Sequence, residues 1–577
     1  MSVSLTSKLI CFSLVTIMCF ACVRKQTNQN ETISVHLSAN PESLHPYYHI
    51  SRPSIHIAKY IFQPLLDIDY YTGQLVPIIA KSRPKITKGI NGKSAYSFYI
   101  RPEAKWDDGS PITAEDVLFS LKIMKLPGEM KNADRDLFFD SFDGFILDKK
   151  DSRHFTITSQ QHYVQVENAF CNLLILPKHI YDPEAKISNI TIEQLVHQKL
   201  DTKERQFIEQ FLKEFSRPAA HTDNRLLLGS GAYKLEDWTK DKCIKISKKE
   251  NWWGDKISAN MFFDNKAKHI KYIINKNKDK ALSELMLGNI DVMSGINQQD
   301  LKNLIKSDVF NSGFILHTPT RLSFTYLGLN WNNKILKDLA VRRSIAHAIS
   351  KSNIINNVLG GYGQTITSSI HPNNPSYNKE IIDYAFDLTK ANQLLESAGW
   401  KDDDNDGYRE KLIKGEPTAL KLKLNFVKDY SARKIAEYIQ EALKSVGIKV
   451  SLHELKFDTY MSLSKAHDFD MLLGNFVTAQ SLADPKQLWH SNSYNKGSNW
   501  VGFSNLEADQ LITLIRQESD LEKRIEYENL LQRIIHEDLP FVFLFAPQHR
   551  ILLSKQIKNI SVSSSGLGFR ESNFVKQ

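Results

Sequence analysis

The sequence predicts an α/β protein built of two lobes. Its 577 residues exceed what one hydrophobic core usually covers. Two β-α-β patterns stand far apart in the chain, and such units imply parallel strands covered by helices. No internal repeat or low-complexity segment interrupts them, and a hydrophobic content of 42% is typical of a folded chain.

The first β-α-β unit begins near residue 271. The apolar strand IKYII is followed by the helical stretch KALSELMLGN and then by the strand IDVM. Gly288 stands where a helix can end in a left-handed turn. The pattern therefore predicts a strand, a helix and a second strand within the first lobe.

The second unit has a clearer pattern. LKLKLNF alternates with period two, SARKIAEYIQEALKSVG repeats at the helical period as far as Gly447, and IKVSL resumes as a strand. Before it, a helical stretch puts Val341, Ile345 and Ile349 on one face, and Ser350 can cap the next helix.

No linker stands out in composition, so these patterns must give the lobe boundaries. We expect lobe 1 over residues 33–310 and lobe 2 over residues 316–536. Near the end of the chain stands the apolar stretch LPFVFLFAPQHRILL, and the carboxy-terminal segment 541–577 is predicted to return to lobe 1.

The amino terminus is typical of a secretory signal. Its apolar run, residues 9–21, is shorter than the roughly 20 residues that a membrane span needs. The run ends at Cys22 and a polar segment follows, which predicts a cleaved signal (1–21), a lipidated Cys22 and a tether (22–32). The alternative is an ordinary signal with an incidental cysteine. Either way we expect the protein in the periplasm or on the outer face of the cell envelope.

Cysteines and charge exclude other classes. Only Cys171 and Cys243 remain in the folded body, enough for one disulfide at most. The net charge of +9 is spread thinly. A nucleic-acid surface needs a basic stripe with stacking aromatics, which is missing, so we expect no nucleic acid partner.

Four carboxylates lie close together in WDDGSPITAEDVLFSLKIM. Asp107 and Asp108 have the composition of a turn, while Thr113 and Asp116 fit a helix capping box. Glu115 and Asp116 lie in the first turn of that helix, where the helix dipole favours negative charge. We expect structural tasks for all four, with no apolar setting that would shift a pKa.

A second acidic cluster, KDDDNDGYRE, fits the first half of a calcium loop. Asp402, Asp404 and Asp406 would be ligands, but Ile413 stands where a bidentate glutamate is needed. A structural calcium ion and an exposed acidic turn are the two interpretations, and we expect no other cofactor.

Searches for catalytic motifs find none. IIHEDLP lacks the second histidine of a zinc-protease helix, GSGAY lacks the spacing of a nucleophile elbow, and GINGKS lacks a glycine of the phosphate loop. These absences favour a binding protein over an enzyme.

Seven segments in order resemble the extracellular solute-binding proteins of ABC importers, family 5, which include oligopeptide- and dipeptide-binding proteins. They are ANPESLHPYY, YSFYIRPEAKWDDGSPITAEDVLFSL, GSGAYKLEDW with ENWWG, LGNIDVM, LNWNNKILKDLAVRRSIAHAISKSNIINNVLGG, ANQLLESAGWKDDDNDG and ALKSVGIKV. His45 and Ala232 depart from the family pattern, which has Asp and Pro there.

The resemblance implies a two-lobed periplasmic-binding-protein fold of type II. Lobe 1 would carry an extra subdomain, about residues 75–220, and its last piece would come from the carboxy terminus. It implies a monomer that binds peptides between lobes closing on a hinge and delivers them to a permease with its ATPase. Nickel chelates, sugars or other solutes are alternatives, and an unrecognised secreted hydrolase is the rival from another class.

The resemblance also implies where ligand residues lie. After the S-L-D-P segment come Ile50, Ser51 and Arg52, of which Arg52 could pair with a carboxylate, unless it is a surface arginine. Around the end of the strand MLLGNF come Asn475, Thr478, Ser481 and Asp484. Ser481 replaces the aspartate that binds the peptide amine in relatives, and Asp484 could substitute for it or have a structural task.

Overall fold

The computed structural model describes residues 31–47, 51–89, 93–127, 139, 141–160, 166–215, 226–478 and 484–577. Within these ranges no helix has the length and apolar character that crossing a membrane requires. The predicted signal peptide and Cys22 lie outside the described residues.

Lobe 1 is built from both ends of the chain around a seven-stranded mixed sheet. Its strands lie in the order β12-β21-β11-β1-β10-β9-β8. The elements before the inserted subdomain are β1 Thr32–Leu37, α1 Arg52–Ile61, β2 Leu66–Ile68 and β3 Leu75–Pro77. Those after it are β8 Tyr233–Thr239, β9 Cys243–Lys248, β10 His269–Ile274, α7 Lys278–Met286, β11 Val292–Ser294, α8 Gln298–Leu304, α9 Asp308–Gly313 and β12 Phe314–His317.

The inserted subdomain is a four-stranded antiparallel sheet with helices. The sheet order is β4-β5-β7-β6. Its elements are β4 Lys85–Lys88, β5 Ser94–Tyr99, α2 Ala114–Lys125, β6 Phe142–Leu147, β7 His154–Ser159, α3 Val166–Asn172, α4 Lys178–Tyr181, α5 Ile192–Val196 and α6 Thr202–Phe215. Its buried side chains form one cluster with those of lobe 1, so the two pack as a unit.

The predicted capping box is present at the start of α2. The Asp116 carboxylate accepts from the Thr113 backbone N–H at 2.8 Å and from the Lys178 backbone N–H at 2.9 Å, which joins α2 to α4. The other three carboxylates also have local partners, in the pairs Asp107–Lys249, Asp108–Ser110 and Glu115–Lys178. One expectation was wrong: Asp116 is buried, and burial raises its pKa.

Lobe 2 surrounds a six-stranded sheet in the order β14-β20-β13-β19-β17-β18. Its elements are β13 Ser323–Leu329, α10 Leu339–Ala348, α11 Lys351–Val358, β14 Gly363–Thr365, α12 Leu388–Ser397, β15 Glu410–Ile413, β16 Glu416–Ala419, β17 Lys421–Val427, α13 Tyr430–Lys444, β18 Lys449–Leu455, α14 Phe457–Lys465, β19 Met471–Val477, α15 Lys486–Trp489, α16 Leu506–Gln517, α17 Leu521–Asp538 and β20 Phe541–Pro547. β13 is buried along its whole length, because separate apolar clusters cover the two faces of the sheet.

Both β-α-β units predicted from the sequence form. The first is β10, α7 and β11, and the second is β17, α13 and β18, with β17 and β18 paired in parallel. Gly288 and Gly447 end their helices with φ of 77° and 81°, in the left-handed region that favours glycine. Ser350 caps α11 by accepting from the Asn353 N–H.

The carboxy-terminal segment crosses between the lobes. β20 pairs with β13 and β14 of lobe 2, so the return to lobe 1 begins after Pro547 rather than at residue 541. The remaining strands are β21 Ile551–Ser554, β22 Ile557–Lys558 and β23 Val575–Lys576. β21 lies between β12 and β11 in the lobe 1 sheet.

A buried carboxylate fixes the end of the chain to lobe 1. Glu571 is 0% exposed and accepts from His56 Nε2 at 2.9 Å, from the Tyr60 hydroxyl at 3.1 Å and from the Tyr272 hydroxyl. Burial pushes the pKa of Glu571 upward, but the attraction of His56 and these hydrogen bonds outweigh it, so the pKa lies below its usual range. The tail thereby holds α1 against β10.

Replacing this carboxylate should destabilise the whole protein. We expect Glu571→Gln to lower the free energy of unfolding by about 3 kcal/mol at neutral pH, because it breaks a buried pair. A carboxyl with a lowered pKa stabilises the fold above its unfolded pKa, about 4.3, so the difference should shrink as the pH falls below that value. Urea unfolding of the wild type and the variant at several pH values measures this difference in the free energy of unfolding. Glu209→Gln, at an exposed position of α6, should change stability by less than about 0.5 kcal/mol, and equal effects of the two variants would contradict the assignment.

Candidate ligand cleft

A cavity of about 350 Å³ lies where the two lobes meet. α1, α3 and the β2 region line it from lobe 1, and the end of β19 lines it from lobe 2. The residues around it are Arg52, Ile55, His56, Lys59, Asp67, Ile68, Tyr70, Asn168, Cys171, Asn172, Arg321, Leu322, Ser323, Val477, Thr478, His549, Ser564, Ser565 and Gly566. The volume is at the low end of the roughly 300–1,000 Å³ of small-molecule sites.

Two crossing segments form the hinge beside this cavity. Residues 318–322 lead into lobe 2 and residues 548–550 lead out of it, and the two pair in antiparallel fashion at Thr320 and Gln548. The Arg321 N–H donates to Pro547 O at 2.8 Å and the His549 N–H donates to Pro319 O at 2.8 Å. The hinge therefore brings the side chains of Arg321 and His549 to the cavity wall.

Glycines set the position of α1, the helix that lines the cavity from lobe 1. A Cβ atom on Gly229 would lie 1.9 Å from Ile61 O, and one on Gly231 would lie 2.2 Å from Tyr60 O. The Gly231 N–H donates to Ile61 O at 2.8 Å. The segment GSGAY thus packs its backbone directly on the end of α1, which other residues would prevent.

The acid in the cavity wall is already neutralised. Both oxygens of Asp67 accept from Lys59 Nζ, at 2.9 and 3.0 Å. Burial opposes the charge of Lys59, but Asp67 more than offsets it and raises the pKa of Lys59. This pair contributes no net charge to the cavity.

Two guanidinium groups have no such partner. Neither Arg52 nor Arg321 makes a side-chain hydrogen bond or ion pair with a described residue, and both line the cavity. Burial lowers the pKa of Arg321, and the nearby charges of Arg52 and Arg550 lower it further. The cavity wall therefore carries uncompensated positive charge.

Only some of the ligand residues predicted from the sequence line the cavity. Arg52 and Thr478 line the cavity. Ser51 caps α1, with its Oγ accepting from the Ser54 N–H at 3.4 Å. Asn475 is exposed on β19 and donates to Thr325 Oγ1 at 3.2 Å, outside the cavity wall.

Asp484 has structural partners. It accepts from Arg516 Nε at 3.1 Å and from the Lys486 N–H at 3.0 Å, beside the start of α15. Ile50 and Ser481 lie outside the described residues. Sequence reasoning missed Arg321 and His549, because only the pairing of the crossing segments brings them to the cavity.

The acidic loop of lobe 2 differs by one residue from the predicted calcium ligands. Asp402, Asp404 and Glu410 offer oxygens within 4.8 Å of one another, whereas Asp406 accepts from the Tyr408 N–H at 2.8 Å. Hard oxygen ligands of this kind suit Ca²⁺. Asp402 and Asp404 are exposed, as the side chains of a simple acidic turn would be. The calcium ion therefore stays a prediction, with the acidic turn as its alternative.

The two body cysteines do not pair. Cys171 is buried in α3 at the cavity wall, Cys243 lies in β9, and both are free thiols. Burial raises the pKa of the Cys171 thiol well above its usual value, which makes it unreactive. The disulfide that the cysteine count allowed is absent.

His549 should make the stability pH-dependent. Burial lowers its pKa to about 3, with Arg321 and Arg52 adding to the effect. The folded protein keeps this ring neutral while the unfolded chain binds a proton below about pH 6.5, so stability should fall as the pH falls from about 6.5 towards 3. We expect His549→Asn to reduce the slope of unfolding free energy against pH by about 1 kcal/mol per pH unit between pH 6 and 4.5.

Urea unfolding in a pH series measures that slope. His453→Asn replaces an exposed ring on β18 and serves as the matched control, with an unchanged slope expected. A slope for His549→Asn that equals the wild-type slope would refute the neutral, buried state of His549.

Comparisons with known proteins agree with this architecture. The sequence is 26% identical over 487 residues to the oligopeptide-binding protein AppA of Bacillus subtilis (strain 168), covering 82% of this chain and 79% of AppA. It is 21% identical to the dipeptide-binding protein of Escherichia coli (strain K12), covering 93% of each chain.

Solved structures confirm the two-lobed α/β fold. The structure of Bacillus subtilis AppA in complex with a nonapeptide superposes with a TM-score of 0.66, at 22% identity, over 95% of this chain and 99% of that one. Campylobacter jejuni NikZ in complex with Ni(L-His) gives 0.67 at 20% identity, over 95% of this chain and 100% of that one. The family model of bacterial extracellular solute-binding proteins, family 5 Middle, matches residues 74–499. The chain therefore belongs to the bacterial extracellular solute-binding proteins of family 5.

Proposed function

We propose that the protein captures peptides in the cleft between its lobes for an ABC importer and has no catalytic role of its own. The observation that carries the proposal is a cavity at the hinge, lined from both lobes, in a chain whose relatives include oligopeptide- and dipeptide-binding proteins. A ligand that touches both lobes binds the closed form better and shifts the hinge equilibrium towards it.

Arg52 and Thr478 are the ligand residues that we propose from among those predicted by sequence. Arg321 joins them, because it lies in the same cavity wall. Ile50 and Ser481 remain predictions, while Ser51, Asn475 and Asp484 already have structural partners.

The protein is further proposed to work as a monomeric lipoprotein. Lipidation of Cys22 would hold it at a membrane, and residues 22–32 would serve as its tether in the periplasm or on the outer face of the cell envelope. There the closed form would meet a permease with its ATPase subunits. A non-peptide solute is the second candidate, since the solved relative NikZ holds Ni(L-His) in the same fold.

Native mass spectrometry of the purified protein, followed by denaturation, tests the peptide assignment. We expect a mixture of peptide masses to be released intact. Peptide added at 100 times its Kd should stabilise the ligand-free protein by about 2.7 kcal/mol. A single non-peptide mass would replace peptide by another solute, and cleaved peptides would overturn the binding role in favour of a hydrolase.

Labelling with radioactive palmitate tests the anchor. The full-length chain expressed in bacteria should take up label and sediment with membranes, while Cys22→Ser should do neither. Cys243→Ser changes a free thiol of the folded body and should keep both properties. Palmitate labelling of Cys22→Ser equal to that of the wild type would refute the lipid anchor.

A further inference from the structure

We propose that the cleft selects short acidic peptides, whose carboxylates Arg52 and Arg321 bind, and that it does not require a free amino terminus. This inference rests on the proposed function, because it names the class of peptide that the same cavity takes.

The charges of the cavity wall give the first argument. Asp67 is paired with Lys59, and His56 is paired with Glu571 just behind the wall. Of the charged groups on the described wall, Arg52 and Arg321 remain without a counter-charge. The neighbouring sequences Tyr-His-Ile (48–50) and Ala-Gln-Ser-Leu-Ala (479–483) contain no acidic residue that could bind an amine.

The position of Arg52 gives the second argument. It is the first residue of α1, and the first turn of this ten-residue helix contains no acid. A cation at a helix amino terminus is repelled by the positive end of the helix dipole. A carboxylate bound there would be attracted by the guanidinium and by the helix end together.

The position of Arg321 gives the third argument. Its side chain is partly buried in the hinge, where burial and the charges of Arg52 and Arg550 act against its own charge. An arginine does not lose its proton in a protein, so a bound anion would relieve this cost. The flat guanidinium also matches a carboxylate with two parallel hydrogen bonds.

A hydroxyl completes the site from lobe 2. Thr478 Oγ1 is buried, lines the cavity and has no hydrogen-bond partner among the described residues. A buried donor without a partner costs free energy, which a ligand oxygen would recover. An anion held by Arg52, Arg321 and Thr478 would therefore touch lobe 1, the hinge and lobe 2 at once and favour closure.

The size of the cavity limits the peptide. About 350 Å³ is close to the smallest volumes that small-molecule sites show, so we infer peptides of two or three residues. Two carboxylates on such a peptide, from the carboxy terminus and a side chain, suit two guanidinium groups in one small cavity.

Isothermal titration of the ligand-free, full-length protein with Glu-Glu, Ala-Ala, Lys-Lys and N-acetyl-Glu-Glu tests the inference. We expect Glu-Glu to bind at least about 10-fold more tightly than Ala-Ala and Lys-Lys, with acetylation changing its Kd by less than about 3-fold. Arg52→Gln and Arg321→Gln should each weaken Glu-Glu by about 10- to 100-fold.

Arg533→Gln is the matched control, because Arg533 is half exposed on α17 and pairs with Glu380 away from the cavity. It should bind Glu-Glu as the wild type does. Equal affinity for Glu-Glu and Ala-Ala, a loss of binding on acetylation, or wild-type binding of Glu-Glu by both arginine variants would overturn the acidic selectivity and leave peptide binding standing. Binding of none of these peptides, nor of a mixed peptide library, would overturn the proposed function with it.

Discussion

The buried carboxylate of Glu571 is the constraint on which the cleft depends. It is 0% exposed and accepts hydrogen bonds from His56 and Tyr60 of α1 and from Tyr272 of β10. An ion pair in a dry interior stabilises only when its hydrogen-bonding capacity is satisfied, which fixes the geometry of all its partners. The carboxy-terminal tail thereby helps to fix the position of α1, together with the GSGAY segment, and α1 supplies one wall of the cavity.

The two crossing segments connect this wall to lobe 2. Backbone hydrogen bonds hold the two crossing segments together as one short paired stretch between the lobes. Arg321 and His549 lie on that stretch, where burial lowers the pKa of each side chain and the charge of Arg321 lowers the pKa of His549 further. Lys88 of the subdomain also donates to Ser519 of lobe 2 at 3.4 Å, which is a contact between the lobes outside the crossing segments.

Local patterns predicted local structure well. The alternation of LKLKLNF and the glycines 288 and 447 specify strands and helix ends through side-chain period and backbone freedom, which neighbours along the chain determine. The carboxy-terminal boundary of lobe 2 was harder to predict from the sequence. β20 is apolar on both faces, and an unbroken apolar run does not indicate which sheet the strand joins. The place of Arg321 depends on the pairing of its segment with residues 547–549, and the role of Asp484 depends on Arg516. No local sequence pattern reveals either contact.

The route of the chain also sets the order in which the lobes can be completed. All six strands of the lobe 2 sheet lie between residues 323 and 547, so that sheet is complete once this stretch has been synthesised. The sheet and core of lobe 1 are incomplete until β21 and Glu571, which lie near the carboxy terminus, have been synthesised. Domains fold as units while a chain emerges amino terminus first. The lobe that begins first along the chain is thus the last to be completed, and one wall of the cleft can form only when the last residues have been added.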